Sequence, residues 1–298
     1  LILTEEIQMN EWKITGRTGL TGLLGSPVAH SISPLMHNES FRLLGLDYVY
    51  LCFDVGEARL EDAVRGLAAC GIRGFNLTMP DKTRMAELAD ELSPAARLIG
   101  AVNTVVNENG RLIGHNTDGV GFLRSVKDAG LSVAGQNLTV LGAGGAATAI
   151  CAQAALDGAA SIRIFARPSS RFHARALSLA DTICRTTACR AELWDQADTA
   201  ALKKSLEDSL LLINATSVGM APDTEHSLIE DMSLLPPSLT VADIIYNPRE
   251  TRLLRLARES GHKTFNGMYM LLYQGAEAFR LWTGMDMPVD TIRDKYFR

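Results

Sequence analysis

The chain has 298 residues, is 47% hydrophobic and 21% charged, and carries a formal net charge of −5. That length allows two domains or one large one, and the acidic balance supplies no basic field for nucleic acid or anionic lipid, so any anionic ligand must be held by local donors. Five scattered cysteines (Cys52, Cys70, Cys151, Cys184, Cys189) without ligand spacing argue against a disulfide framework or a metal site, and residues 1–20 lack the apolar core of a signal peptide, so a cytoplasmic protein is expected.

Residues 1–18 read as a polar extension. A strand over 21–25 leads to a helix with Ser33 as N-cap, Pro34 at its first position and Gly45 as its stop. A β-rich alternating run predicts a strand over 48–55, followed by an amphipathic helix over 57–70 that Gly71 ends. Residues 74–78 read as the next strand, broken by Pro80. A helix over 82–92 follows, and Ser93-Pro94 starts another short one. Residues 103–115 read as a hairpin turning over Asn107-Glu108-Asn109-Gly110, and a helix from 118 to 129 ends at Gly130.

The next stretch holds the strongest local signal. Leu138-Thr139-Val140-Leu141 reads as a buried strand, a glycine cluster follows at Gly142, Gly144 and Gly145, and an Ala-rich helix then meets no breaker until Gly158. Strand, glycine turn and helix in that order form the context of a dinucleotide-binding fingerprint. Gly142 permits the tight turn, Gly144 lets backbone N–H groups approach a pyrophosphate, and Ala147 lets the helix lie against the strand. The diphosphate then sits at the positive end of the helix. This uncharged run nears the length of a membrane span, but its glycines, Thr139, Thr148, Gln153 and missing basic flanks mark a buried α/β unit. Further strands over 162–165, 210–213, 239–245 and 264–265 alternate with helices such as 249–260, region 172–205 reads as mostly helical, and a long final helix covers 268–283. The pattern is α/β.

In NAD-binding folds an acidic residue ends the second strand and binds the ribose hydroxyls. Here that strand ends in Ala166-Arg167-Pro168-Ser169-Ser170-Arg171, with no carboxylate. Two guanidinium groups and two hydroxyls form the donor set a 2′-phosphate needs, which favours NADP over NAD. In the N-terminal half, Asn76 and Thr78 close a strand, Lys82 starts a helix, and Asn103 and Asp118 flank the hairpin. A Lys and an Asp facing one substrate hydroxyl make a proton-transfer pair, since desolvation can bring a lysine pKa towards neutrality. Each residue alone also has an ordinary structural explanation, as a solvated lysine, an N-cap or a turn, and spacing leaves both readings open. His30 and His37 read as structural.

Taken together, these stretches resemble the shikimate/quinate dehydrogenase family. The resemblance rests on Gly25-Ser26-Pro27-Val28-Ala29-His30-Ser31-Ile32-Ser33-Pro34, Asn76-Leu77-Thr78-Met79-Pro80-Asp81-Lys82, Gly100-Ala101-Val102-Asn103-Thr104, Asn116-Thr117-Asp118-Gly119 and Gly142-Ala143-Gly144-Gly145-Ala146. The segments Asn214-Ala215-Thr216-Ser217-Val218-Gly219-Met220, Asp243-Ile244-Ile245-Tyr246-Asn247-Pro248 and Gly267-Met268-Tyr269-Met270-Leu271-Leu272-Tyr273-Gln274 follow in the same order.

The resemblance implies two α/β domains with the active site in the cleft between them. Residues 1–117, completed by 267–298, would bind substrate, and residues 118–266 would form a Rossmann-type domain. The implied activity is the NADP-linked interconversion of shikimate and 3-dehydroshikimate, with NAD as the second cofactor option. By position, Lys82 and Asp118 would be the catalytic pair, Ser31 and Ser33 would hold the substrate carboxylate, and Asn76, Thr78, Asn103 and Gln274 the ring hydroxyls. Gly142, Ala143, Gly144, Gly145, Ala146, Arg167, Ser169, Arg171, Ile244, Tyr246, Gly267 and Met270 would bind the cofactor. Two departures stand out: Ala166 where the family's basic motif opens with Asn, and Asp81 beside the lysine. The segment at 243–248 and the N-terminal extension resemble the paralogous branch that also uses quinate and NAD. The rival readings are that broader enzyme, a catalytically idle dinucleotide-binding paralogue, and an unrelated α/β reductase. A monomer or homodimer acting on a small molecule is expected.

Overall fold

The structure, a computed structural model, describes residues 13–297; most of the expected polar extension lies outside the described residues. The first half contains β1 (Gly19–Gly25), α1 (Ser33–Leu43), β2 (Tyr48–Asp54), α2 (Leu60–Ala69), β3 (Gly74–Leu77), α3 (Lys82–Leu88), β4 (Glu91–Leu92), α4 (Pro94–Ile99), β5 (Thr104–Glu108) and β6 (Arg111–His115). These strands form a mixed six-stranded sheet in the order β2-β1-β3-β5-β6-β4. β1 runs parallel to β2 and β3, while β3 pairs antiparallel with β5. The β5–β6 hairpin is the one predicted. Asn109 and Gly110 turn it at positive φ, 54° and 94°, as a two-residue reversal between twisted strands requires.

The second half contains α5 (Asp118–Asp128), β7 (Asn137–Leu141), α6 (Gly145–Leu156), β8 (Ser161–Ala166), α7 (His173–Thr186), β9 (Arg190–Asp195), α8 (Thr199–Glu207), β10 (Leu211–Asn214), β11 (Thr240–Asp243), α9 (Arg252–Glu259) and β12 (Thr264–Phe265). Its sheet, ordered β12-β11-β10-β7-β8-β9, is parallel throughout. The strand order reverses between β7 and β10, the switch point at which doubly wound sheets open a ligand crevice. The chain then returns through α10 (Met268–Thr283) and α11 (Val289–Tyr296). α10 buries Leu272, Ala276, Phe279 and Trp282 against Leu23, Met36, Phe41 and Tyr50 of the first half. The Trp282 indole donates to the Val105 carbonyl at 2.9 Å, anchoring the returning helix to the central sheet. Among the described residues no helix is long and apolar enough to cross a membrane.

Several expectations need correction. Region 172–205 is not simply helical, because it contains the edge strand β9, Arg-Ala-Glu-Leu-Trp-Asp. An edge strand pairs on one side only, and with few apolar positions it leaves a faint periodic signal. The helix expected over 82–92 stops at Leu88, and Glu91–Leu92 pair with β6. Ser33 is not the N-cap of α1 but its first residue. Ile32 occupies the cap position, and the Ser33 N–H donates to Ser31 Oγ at 3.2 Å. α11 was not foreseen.

The two halves meet through α5. A Cβ on Gly119 would come within 2.4 Å of the Ala149 carbonyl of α6, and one on Gly121 within 2.6 Å of the Gln274 nitrogen of α10. Successive turns of α5 thus press backbone to backbone against a helix of each half, while Phe122, Leu123 and Val126 fill the core beside α6. Gly121→Ala is therefore expected to destabilise the fold by about 1–3 kcal/mol, as overpacking does. Denaturant unfolding measures this, and an unchanged midpoint would show that α5 and α10 can part without cost.

Asp81 is fully buried, and neither carboxyl oxygen has a hydrogen-bond partner. Burial first, then the charge of Glu57, raises its pKa. The native state therefore holds this proton more tightly than the unfolded chain, so stability is lost as pH rises from about 4 through the raised native value. Asp81→Asn should raise stability at pH 7 by roughly 1–2 kcal/mol, with the gain shrinking towards pH 4. Urea midpoints at the two pH values test this, and a gain of equal size at both would refute the ionisation argument.

Candidate active site

A cleft of about 360 Å³ lies between the two sheets, and all eight residues tied to substrate or catalysis by the sequence line it: Ser31, Ser33, Asn76, Thr78, Lys82, Asn103, Asp118 and Gln274. Ala146, Ile244, Tyr246, Gly267 and Met270, expected on the cofactor side, line the same cleft. A larger hollow of about 790 Å³ beside α11 contains none of them. Distant segments converge because the C-terminal ends of β1 and β3, the start of α5 and the start of α10 all open onto one space.

Lys82 is the first residue of α3, and its carbonyl accepts from the Val102 N–H at 2.8 Å, which ties the helix start to the segment before Asn103. Its Nζ lies 2.6 Å from Asp118 Oδ2, with the two side chains 29% and 16% exposed. This is a short charge-assisted hydrogen bond, partly shielded from water, with the ammonium still open to the cleft. Asp118 is the first residue of α5 and makes no N-cap bond with its own side chain. Its second oxygen, Oδ1, accepts from Asn103 Nδ2 at 2.9 Å instead.

Asn103 lines the cleft, yet both its amide hydrogens are in use, the other going to Thr117 Oγ1 at 3.1 Å. Gln274 Nε2 donates to the Leu271 carbonyl of its own helix at 3.0 Å, leaving its oxygen and one hydrogen available. Ser31, Ser33 and Thr78 add hydroxyls. Apart from Lys82 and Asp118, the groups offered to a ligand are chiefly neutral donors and acceptors, which suits a small polyhydroxylated anion. His30, expected to be structural, is exposed on the cleft wall. His37 is buried and stacks on Tyr50 with ring centroids 4.5 Å apart. Burial lowers its pKa to about 3, so it is neutral.

The second-sheet side fits a dinucleotide. Gly142 has φ +109°, and a Cβ there would lie 2.8 Å from the Ala215 carbonyl at the end of β10, so this turn needs glycine. Gly144 and Gly145 face open space, where nothing would touch an added Cβ. No side chain caps α6, whose first N–H groups are therefore available to a diphosphate. Ala143 is buried beside Ala166 and Ala176, supporting the turn rather than facing the cleft. Arg167, Ser169 and Arg171 are exposed beyond the end of β8, away from the cleft. Arg171 lies over the Phe172 ring at 4.6 Å. Across the crevice, Asp243 accepts from Asn214, Thr251 and the Ile245 N–H, bracing the loop that carries Ile244 and Tyr246. Gly267 lets that loop close down, since a Cβ there would lie 1.8 Å from the Ile244 carbonyl.

Sequence reasoning missed Tyr50, Thr104 and Thr117 as parts of the site. All three are buried behind the cleft floor, where no spacing rule distinguishes them from ordinary core residues.

Two family models match the chain: the shikimate dehydrogenase substrate binding domain over residues 23–105 and the shikimate 5'-dehydrogenase C-terminal domain over residues 267–295. A shikimate dehydrogenase (NADP(+)) of Listeria innocua serovar 6a is 50% identical over 285 residues, 96% of this chain and 98% of that protein. The crystal structure of shikimate 5-dehydrogenase from Listeria monocytogenes in complex with shikimate and NAD has a TM-score of 0.92 at 50% identity, covering 95% of this chain and 97% of that one. A ligand-free 5-ketofructose reductase of Gluconobacter sp. strain CHM43 has a TM-score of 0.84 at 35% identity, covering 94% and 98%. The cleft geometry and these relatives lead to one conclusion: this chain belongs to the shikimate/quinate dehydrogenase family.

Proposed function

We propose that this chain catalyses the reversible, NADP-linked reduction of 3-dehydroshikimate to shikimate. The observation that carries the reading is the Lys82–Asp118 pair, 2.6 Å apart in a cleft otherwise lined by neutral hydroxyl and amide groups beside a dinucleotide turn. Bound NADPH supplies the hydride to the ring carbonyl carbon. The carbonyl oxygen takes its proton from Lys82 Nζ, and in the reverse direction the lysine accepts the hydroxyl proton. Asp118 aims the ammonium and is itself aimed by Asn103. Ser31 and Ser33 hold the carboxylate, while Asn76, Thr78 and Gln274 hold ring hydroxyls.

Arg167 and Arg171, with Ser169, read the 2′-phosphate. What supports this is their exposure at the end of β8 together with the absence of an acid there. The NAD bound to the Listeria monocytogenes relative, and Ala166 in place of an amide, keep NAD as a second cofactor and quinate as a second substrate to test. On this reading residues 1–117 with 267–298 are the substrate-binding domain and 118–266 the dinucleotide-binding domain, a division supported by the packing of α10 on the first sheet. On the same reading the enzyme works in the cytoplasm as a monomer or homodimer.

Initial rates of reduced-nicotinamide formation, crossing shikimate and quinate with NADP⁺ and NAD⁺, test the reading. Turnover concentrated in shikimate with NADP⁺ is expected; comparable rates with quinate or NAD⁺ would select the broader enzyme, and none in any pairing would refute the activity. Lys82→Ala should lower kcat by about 10²–10⁴ while NADPH binding stays nearly intact. Arg167→Ala should weaken NADP⁺ by about 10- to 100-fold and leave NAD⁺ largely unchanged. Equal losses for both cofactors would remove Arg167 from the 2′-phosphate site.

A further inference from the structure

The hollow of about 790 Å³ beside α11 takes no part in the proposed reaction, yet its walls carry a chemistry of their own. α5 contributes Arg124 and Asp128, α10 contributes Tyr269 and Tyr273, and the chain entering α11 contributes Met287, Pro288, Asp290 and Arg293. α10 borders both spaces. Tyr269 and Tyr273 line the hollow, while Met270 and Gln274, each one residue and about 100° further round the helix, line the cleft.

The charges in the hollow are unequally committed. Asp290 Oδ1 lies 2.9 Å from the Arg293 guanidinium, and Asp128 Oδ2 accepts from the Tyr273 hydroxyl. Burial first, then that bond to Asp128, pushes the Tyr273 pKa up to about 12, so the phenol keeps its proton and stays a donor. Arg124 makes no ion pair among the described residues. Its exposed guanidinium lies over the Tyr273 ring instead, 4.6 Å from the centroid. A guanidinium stacked on a ring still offers its N–H fork to a planar, bidentate anion. Beside it, the Tyr269 ring is 38% exposed, with its centroid 6.2 Å from that of Tyr273 and its plane tilted by 50°. Met287 and Pro288 add apolar surface to the same wall.

We propose that this hollow is a second small-molecule site and that it takes an aromatic carboxylate. The carboxylate meets Arg124, and the ring lies against Tyr269 and the surface of Met287 and Pro288. Inorganic phosphate would meet Arg124 but leave the apolar wall wet, and as a dianion it would be repelled by Asp128, one helical turn further along α5. A neutral aromatic would cover the wall and leave the guanidinium without an anion. Because the hollow lies across α10 from the cleft, it stays open when the cleft is filled.

Calorimetric titration of the full chain with 2-naphthoate tests this, with and without shikimate and NADPH, a pair that cannot react with each other. Saturable binding is expected with a Kd of about 1 mM or tighter, changing by less than about twofold when shikimate and NADPH are present. 2-Naphthalenemethanol, which has the ring without the charge, and phosphate, which has the charge without the ring, should each bind at least about tenfold more weakly. Arg124→Gln should weaken 2-naphthoate by about tenfold or more, and Tyr269→Ala by about three- to tenfold.

No saturable binding, displacement of 2-naphthoate by shikimate and NADPH, phosphate binding as tightly as 2-naphthoate, or an unchanged Kd in Arg124→Gln would overturn the inference. If Arg124→Gln does not fold, Tyr269→Ala and the ligand series decide. None of these outcomes requires shikimate turnover, so failure of the proposed reaction and failure of this site are told apart.

Discussion

The structure depends on the close approach that α5 makes to a helix on either side. A helix with a Cβ at residues 119 and 121 could not touch the carbonyl of Ala149 and the nitrogen of Gln274 as this one does. With both halves drawn onto one helix, Asp118 at its N-terminus sits between the two sheets. Lys82 from the first half can then reach it, while the glycine turn after β7 opens onto the same cleft. Moving α5 by the radius of one methyl group would displace one member of the proposed catalytic pair relative to the other, and placement errors of that size matter for proton transfer.

Charge is used sparingly in the cleft. The chain is acidic overall, yet the proposed substrate and cofactor are anions. Donors are supplied by hydroxyls, amides, one lysine balanced by one aspartate, and the free N–H groups at the start of α6. Two exposed arginines, Arg167 and Arg171, stand outside the cleft beyond the end of β8. Behind the cleft, the neutral amides and hydroxyls are satisfied by one another, which holds them rigid at low cost. Asp81, a buried carboxyl one residue before Lys82, and the ring nitrogens of buried His37 are the exceptions, without hydrogen-bond partners.

The relatives place limits on what the fold alone can say. A 5-ketofructose reductase shares the architecture at a TM-score of 0.84, so the two-sheet frame does not choose the substrate. That choice lies with the side chains lining the cleft.

The sequence by itself determined the local chemistry. The dinucleotide turn, the missing acid after the second nucleotide-domain strand and the Asn-Gly hairpin are readable because each depends on residue type and near-neighbour spacing, whereas Lys82 and Asp118, 36 residues apart, were paired only through the family resemblance. Edge strand β9, helix α11 and the start of α1 were misread or missed. Their signals are weak, and neighbours distant in sequence decide their structure. Gln274 and Gly267, assigned to the site by resemblance alone, reach the cleft from the end of the chain only through the tertiary structure, which also buries Tyr50 and Thr104 behind the cleft floor. A buried tyrosine and threonine look like core residues in one dimension. Whether their hydroxyls point at a particular amide is fixed by strand register, Asn76 opposite Thr104 and Thr104 opposite His115, which no local pattern encodes.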